Sequence, residues 1–281
     1  GGSDFIARLV AQKLSDRLGQ QVLVDNRPGA GGNLGAELAV RSSADGYTLL
    51  LIAGSYAVNP ALYKLSFDPV NDIAPIIQLS EGPFVVAVNP SVRAGDLREL
   101  IELAKREPEK LAYASAGAGS ITHLASALFV DMARIRMLHV PYKGTGPALA
   151  DTISGNVQLI FGSAATTLQH IKSGRLRGLA VTTPKRIGSA PDIPTMAEAG
   201  LPGYQVVVWH GLVGPRGLSS SVIERLNRES NQLLHSSDVE SLLSSDGVSP
   251  AGGEPEQFAA TIRADIDRWG RLVRQIRIQV E

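Results

Sequence analysis

The stretch AYASAGAGSITHLASALFVDMA, residues 112–133, decides how the chain is read. It begins with strand-type residues, passes through Ser115, Gly117, Gly119 and Ser120, and continues as an apolar run at helical spacing. The pattern predicts a strand, a Gly/Ser loop and a helix, with Ser120 or Thr122 as the N-cap. The first amides of a helix have no partner within it, and the positive end of the helix dipole lies there. Such a loop holds an anion without any Lys or Arg. The glycines let a ligand approach the main chain. This loop is therefore expected to receive a carboxylate. A plain turn between strand and helix has the same pattern, so the surroundings have to distinguish the two.

Outward from this stretch, residues 111–182 alternate strand and helix patterns, which implies a parallel, right-handed α/β unit. Upstream, residues 5–18 read as a helix with Ser3 as N-cap and Gly19 as its stop. Residues 21–25 (QVLVD) read as a strand and 33–42 as a second helix. Residues 47–53 (YTLLLIA) read as a parallel strand covered on both faces, followed by a small loop at Gly54, Ser55 and Tyr56. Residues 74–80 and 83–89 are expected as two strands separated by Glu81 and Gly82, and 96–106 as a helix. Another loop of small residues, 162–165, follows a strand at 157–161. Downstream, a long strand is expected at 204–213, with helices at 220–234, 238–245 and 255–278. The helical tail can return to the first half, so two lobes around a cleft are expected.

The 281 residues suffice for one large domain or two ordinary ones. Lys plus Arg number 27, as do Asp plus Glu, and this balance excludes the basic surface that nucleic-acid binding requires. The chain has no Cys, which removes disulfides, thiolate–metal sites and thiol nucleophiles. That absence fits cytoplasm and periplasm equally. No apolar run approaches the roughly 20 residues of a membrane-spanning helix. The opening GGSD reads as the end of a loop after a strand, so a longer precursor is expected.

Catalytic signatures are wanting. Gly117-Ala118-Gly119 begins like a dinucleotide fingerprint, but Thr122 stands where its third glycine should be. There is no P-loop and no GxSxG elbow. The five histidines form no HExxH motif, and none has an acid at a spacing that suggests a triad or metal site. His123 is expected to hydrogen-bond locally, His139 to be structural, and Asp131 and Asp151 to face solvent. No catalytic residue, metal or cofactor is assigned, and binding is expected rather than turnover.

Further stretches carry a resemblance: GGSD at the start, 24–35 (VDNRPGAGGNLG), 44–48 (ADGYT), 59–63 (NPALY), 113–119, 139–144 (HVPYKG), 192–195 (DIPT) and 198–203 (EAGLPG). Together, and in this order, they resemble the Bug-type solute receptors, the extracytoplasmic binding proteins of tripartite tricarboxylate transporters. The resemblance implies a type II periplasmic-binding-protein fold, an α/β architecture of two lobes joined by crossing strands around a ligand cleft. Lobe 1 would comprise residues 1–95 with 216–281, and lobe 2 residues 96–215. It further implies a monomeric periplasmic receptor, neither enzyme nor nucleic-acid binder. Such a receptor captures a small organic acid and delivers it to membrane transporter subunits.

Carried over residue by residue, lobe 1 would contribute Gly2, Ser3, Ser55 and Tyr56. Lobe 2 would contribute Ser115, Gly117, Ala118, Gly119, Ser120 and Thr122, with Tyr142, Phe161, Gly162, Ser163 and Ala164. The family commonly has an acid where this chain has Gly162, and often one where it has Gln158. Their absence points to a ligand with carboxylate or neutral groups and no amine. Two other readings share the two-lobed pattern. One is a receptor that presents its closed form to a signalling protein, and the other is an α/β transferase, for which Lys143 would be the conspicuous cleft lysine.

Overall fold

The computed structural model describes residues 2–27, 29–245 and 247–276. In chain order the elements are α1 (Gly2–Leu18), a 3-10 turn (Ala30–Gly32), α2 (Asn33–Val40), β1 (Leu50–Ala53), α3 (Gly54–Leu62) and β2 (Ile73–Val88). Then come α4 (Leu97–Arg106), β3 (Ala112–Ser115), α5 (Ile121–Met132), β4 (Leu138–Pro141), α6 (Thr145–Ser154), β5 (Leu159–Ser163), α7 (Ala164–Lys172) and β6 (Arg177–Val181). The chain continues through β7 (Val207–Pro215), α8 (Ser220–Leu234), α9 (Ser237–Ser245), β8 (Ser249–Pro250) and α10 (Pro255–Ile276).

Two compact units result, one of residues 1–81 with 209–274, the other of 82–208 with the residues from 275 on. The chain changes unit inside β2 and inside β7, not at 95/96 and 215/216 as the sequence boundaries have it. A strand that crosses contributes its two ends to two different sheets. Glu81 and Gly82 therefore do not separate two strands: β2 is one strand of 16 residues.

In the first unit β1 pairs antiparallel with β7, Leu50 opposite Val213 and Ala53 opposite His210. β2 pairs antiparallel with β8. The run 47–53 is thus not a parallel strand covered on both faces. Only Ile52 of β1 is buried, and Tyr47, outside the strand, is 87% exposed. Residues 21–25 form no strand either, and Leu23 is 77% exposed. Alternation supplies a face but no pairing partner. One continuous core joins Ile6, Leu9, Val10 and Leu14 of α1, Ile76, Ile77 and Leu79 of β2, Leu226, Leu233 and Leu234 of α8, and Val239 and Leu243 of α9. The apolar stripe of α10 buries Phe258, Ile262, Trp269, Leu272 and Val273, as its 3.6-residue spacing requires; residues 277–278, expected in the same helix, lie outside the described residues.

The second unit has a sheet ordered β4-β3-β5-β2-β6. β3 is parallel to β4 and β5, while β2 runs antiparallel between β5 and β6. The expected parallel rhythm therefore holds for β3, β4 and β5, and the crossing strand interrupts it. α4 shows how local sequence sets an element. The Asp96 carboxylate accepts from the Glu99 amide at 2.8 Å as N-cap. Leu97, Leu100, Ile101 and Ala104 face the core, and Lys105 and Arg106 lie at the negative end of the dipole.

Candidate functional site

The loop after β3 is built as residues 112–133 predict. Ser120 is the N-cap of α5, its Oγ accepting from the His123 amide at 3.2 Å, so the alternative cap Thr122 is instead the second helical residue. Gly117 (φ 133°) and Gly119 (φ 73°) occupy left-handed backbone that a side chain would strain. A Cβ on Gly117 would also press on the Tyr142 carbonyl oxygen at 3.3 Å.

Within this loop most polar groups serve the loop itself. The Ala116 amide donates to Thr122 Oγ1 at 2.9 Å, and the Gly117 amide to Ser115 Oγ at 3.2 Å. The Gly119 amide donates to His123 Nδ1 at 3.0 Å. The Ser120 amide and its hydroxyl both donate to the Gly117 carbonyl, at 3.2 and 2.7 Å. What remains, among the described residues, are the amides of Ala118, Ile121 and Thr122, which have no protein acceptor. Of these residues Ala118 is exposed, Ile121 half-buried and Thr122 buried, at 4% exposure. Ile121 was not singled out in the sequence. Once Ser120 is the cap, Ile121 and Thr122 are N1 and N2, whose amides any α-helix leaves free.

Beside the loop three rings pack on one another, Tyr113 also lying 6.4 Å from His123. His139 stacks on Tyr113 with centroids 5.0 Å apart and on His123 at 3.8 Å, the two imidazoles only 7° from parallel. His139 Nε2 lies 2.7 Å from Ser115 Oγ. Burial lowers the pKa of both histidines, to about 4 for His123, where the neighbouring His139 adds to the effect. The pair is neutral near pH 7. The expectations of a locally bonded His123 and a structural His139 both describe this arrangement.

The remaining residues assigned from sequence are placed as follows. Tyr142 donates its hydroxyl to Asp151 Oδ2 at 2.8 Å, and its pKa is raised to about 12 by desolvation and by that carboxylate. Phe161 is wholly buried against Phe129 and Tyr204, so its side chain belongs to the core. Gly162 and Ser163 form no loop: they end β5, and α7 begins at the next residue, Ala164, itself 1% exposed. Ser163 Oγ lies 2.8 Å from Thr166 Oγ1. A Cβ at Gly162 would lie 2.1 Å from Thr167 Oγ1, which explains the glycine in contact terms. In the first unit, Gly54, Ser55 and Tyr56 are the first turn of α3 and not a loop. The buried Tyr56 hydroxyl donates to the Pro69 carbonyl at 2.9 Å, and burial raises its pKa. Ser3 is exposed in the first turn of α1, which already begins at Gly2, so it is not the N-cap; Gly1 lies outside the described residues.

Among the described residues no group of three or more His, Cys, Asp or Glu could hold a metal ion. No helix there is long and apolar enough to cross a membrane.

Comparison with known proteins adds the following. Residues 6–278 match the model of the tripartite tricarboxylate transporter family receptor. The protein BugT of Bordetella pertussis is 36% identical over 278 residues, covering 98% of this chain and 85% of that one. Among solved structures, R. palustris Rpa4515 with adipate superposes with a TM-score of 0.86 at 34% identity, covering 98% of this chain and 93% of that one. MatC from Rhodopseudomonas palustris with bound malate gives a TM-score of 0.81 at 30% identity, with 97% and 95% covered. The two-lobed α/β architecture with crossing strands is that of these periplasmic binding proteins. The chain belongs to the tripartite tricarboxylate transporter family of receptors.

Proposed function

We propose that this receptor takes a small carboxylate onto the Ala118, Ile121 and Thr122 amides at the start of α5. The observation that carries the reading is how the loop's hydrogen bonds are distributed. Every other amide from 116 to 120 is held by the loop itself, leaving three free at the positive end of a 12-residue helix. Neutral donors of this kind lose little by being fixed in advance, and they strengthen as water leaves. From the second unit, Ser163 at the start of α7 is the further contact.

The relatives solved with adipate and with malate support a dicarboxylate or hydroxydicarboxylate as cargo. Gly162 and Gln158, where an acid would suit an ammonium group, support a ligand without an amine. The receptor works in the periplasm and hands its cargo to the transporter's membrane subunits without chemical turnover. A thermal-shift series tests the reading, since a ligand that binds only the folded state raises its melting temperature. Adipate, malate and simple monocarboxylates should stabilise the protein more than amino acids of equal length. Stabilisation by amines or neutral sugars alone would refute it.

A further inference from the structure

The stacked rings beside the loop touch it at both ends. His139 Nε2 meets Ser115 Oγ at the end of β3, and His123 Nδ1 accepts the Gly119 amide one residue before the helix cap. Accepting at Nδ1 places the proton of the neutral ring on Nε2. The near-parallel stack at 3.8 Å on His139, with Tyr113 packed beside both imidazoles, fixes the ring plane and so the direction of that acceptor. His123 is 8% exposed, with its ring directed at the loop backbone.

We infer that His123 is a positioning residue: it aims the anion-binding amides without touching the ligand. The inference rests on the function proposed above. By tying down the Gly119 amide, His123 holds Gly119 in its left-handed conformation, φ 73°. That conformation sets the turn between Ala118 and the first two residues of α5, whose amides have no protein acceptor. Without the acceptor, the Gly119 amide competes for the same anion and the glycine samples its other allowed conformations. The role needs an acceptor at the Nδ1 position and not a charge.

The test compares His123→Asn with His123→Gln in the intact chain. The asparagine carbonyl can take the place of Nδ1, whereas the glutamine carbonyl reaches the position of Nε2, away from Gly119. Two readouts are used: amide hydrogen exchange at Gly119 without ligand, and calorimetric affinity for adipate as probe. The inference expects Gly119 protected and affinity near wild type in His123→Asn. It expects fast Gly119 exchange and affinity about five- to tenfold weaker in His123→Gln. Equal protection and equal affinity in the two variants would overturn it, as would equal loss in both. If wild type bound no carboxylate, the proposed function would fail while the exchange arm still judged the loop-holding role.

Discussion

Acidification from pH 7.5 to 5 should cost the folded protein about 4 kcal/mol through two histidines. His123 in α5 and His210 in β7 both have pKa values lowered by burial to about 4, and His210 lies 3.1 Å from Ser80 through its Nδ1. An unfolded chain takes up these protons near pH 6.5. Between pH 6.5 and 4 the unfolded state therefore binds more protons, and stability falls as pH falls. It is fully present above about pH 6.5 and levels off below about pH 4. A shift of about 2.5 units corresponds to about 3 kcal/mol per histidine at the plateau, and to about 2 kcal/mol at pH 5. Against a usual stability of about 5–15 kcal/mol this is a large fraction. The lowered carboxylate pKa values of Asp4, Asp68, Glu198, Glu229 and Asp238 act mainly below this window, since the unfolded chain takes up those protons only as the pH nears 4. Urea denaturation at the two pH values, summed over the transitions observed, gives the wild-type difference. His123→Asn and His210→Asn should each remove about 2 kcal/mol of it. A wild-type stability unchanged between pH 7.5 and 5, or a difference insensitive to both substitutions, would refute the reasoning.

Other consequences can be tested in the same way. Gly211→Ala should unfold or strongly destabilise the first unit, because the new Cβ would meet the Phe258 ring at 2.0 Å in the core; a melting temperature near wild type contradicts this. Gly162→Ala should cost roughly 1–3 kcal/mol by overpacking against Thr167. Thr167→Ala should restore most of that in the double variant, since Thr167 Oγ1 is the atom struck and has no hydrogen-bond partner of its own. Asp96→Ala should lower stability by about 1 kcal/mol through the lost cap of α4, with carboxylate affinity unchanged. Ser120→Ala should lower stability by a similar amount and also weaken binding, as its hydroxyl holds the Gly117 carbonyl and the His123 amide.

What the sequence revealed of this molecule, and what it concealed, follows from the range of the forces involved. α4 and α5 were legible because cap and apolar residues lie within a few residues of one another, joined in α4 by charges that suit the helix dipole. The strand expected at 21–25 failed because pairing is a long-range property: its alternation is real, but no strand lies beside it among the described residues. β2 was read as two strands because Glu81 and Gly82 look like a turn. Only the existence of two sheets explains why a strand runs straight through them. At the site, the choice of loop was visible in Ser115, Gly117, Gly119 and Ser120, whereas the donors left free were not. Ser120 is the cap, as one of the two candidates the sequence offered, Tyr142 and Tyr56 have their hydroxyls engaged by Asp151 and Pro69, and Phe161 packs in the core. The family resemblance points to the region, and the hydrogen bonds within it determine which atoms remain available.

The most direct test of the account is a 1H–15N spectrum followed through a titration with adipate. The amides of Ala118, Ile121 and Thr122 should move downfield together, saturating with the affinity measured by calorimetry, while the Gly119 amide, already bonded to His123, moves much less. Saturable binding that leaves those three amides unmoved would contradict the claim that α5 holds the carboxylate through its free main-chain donors.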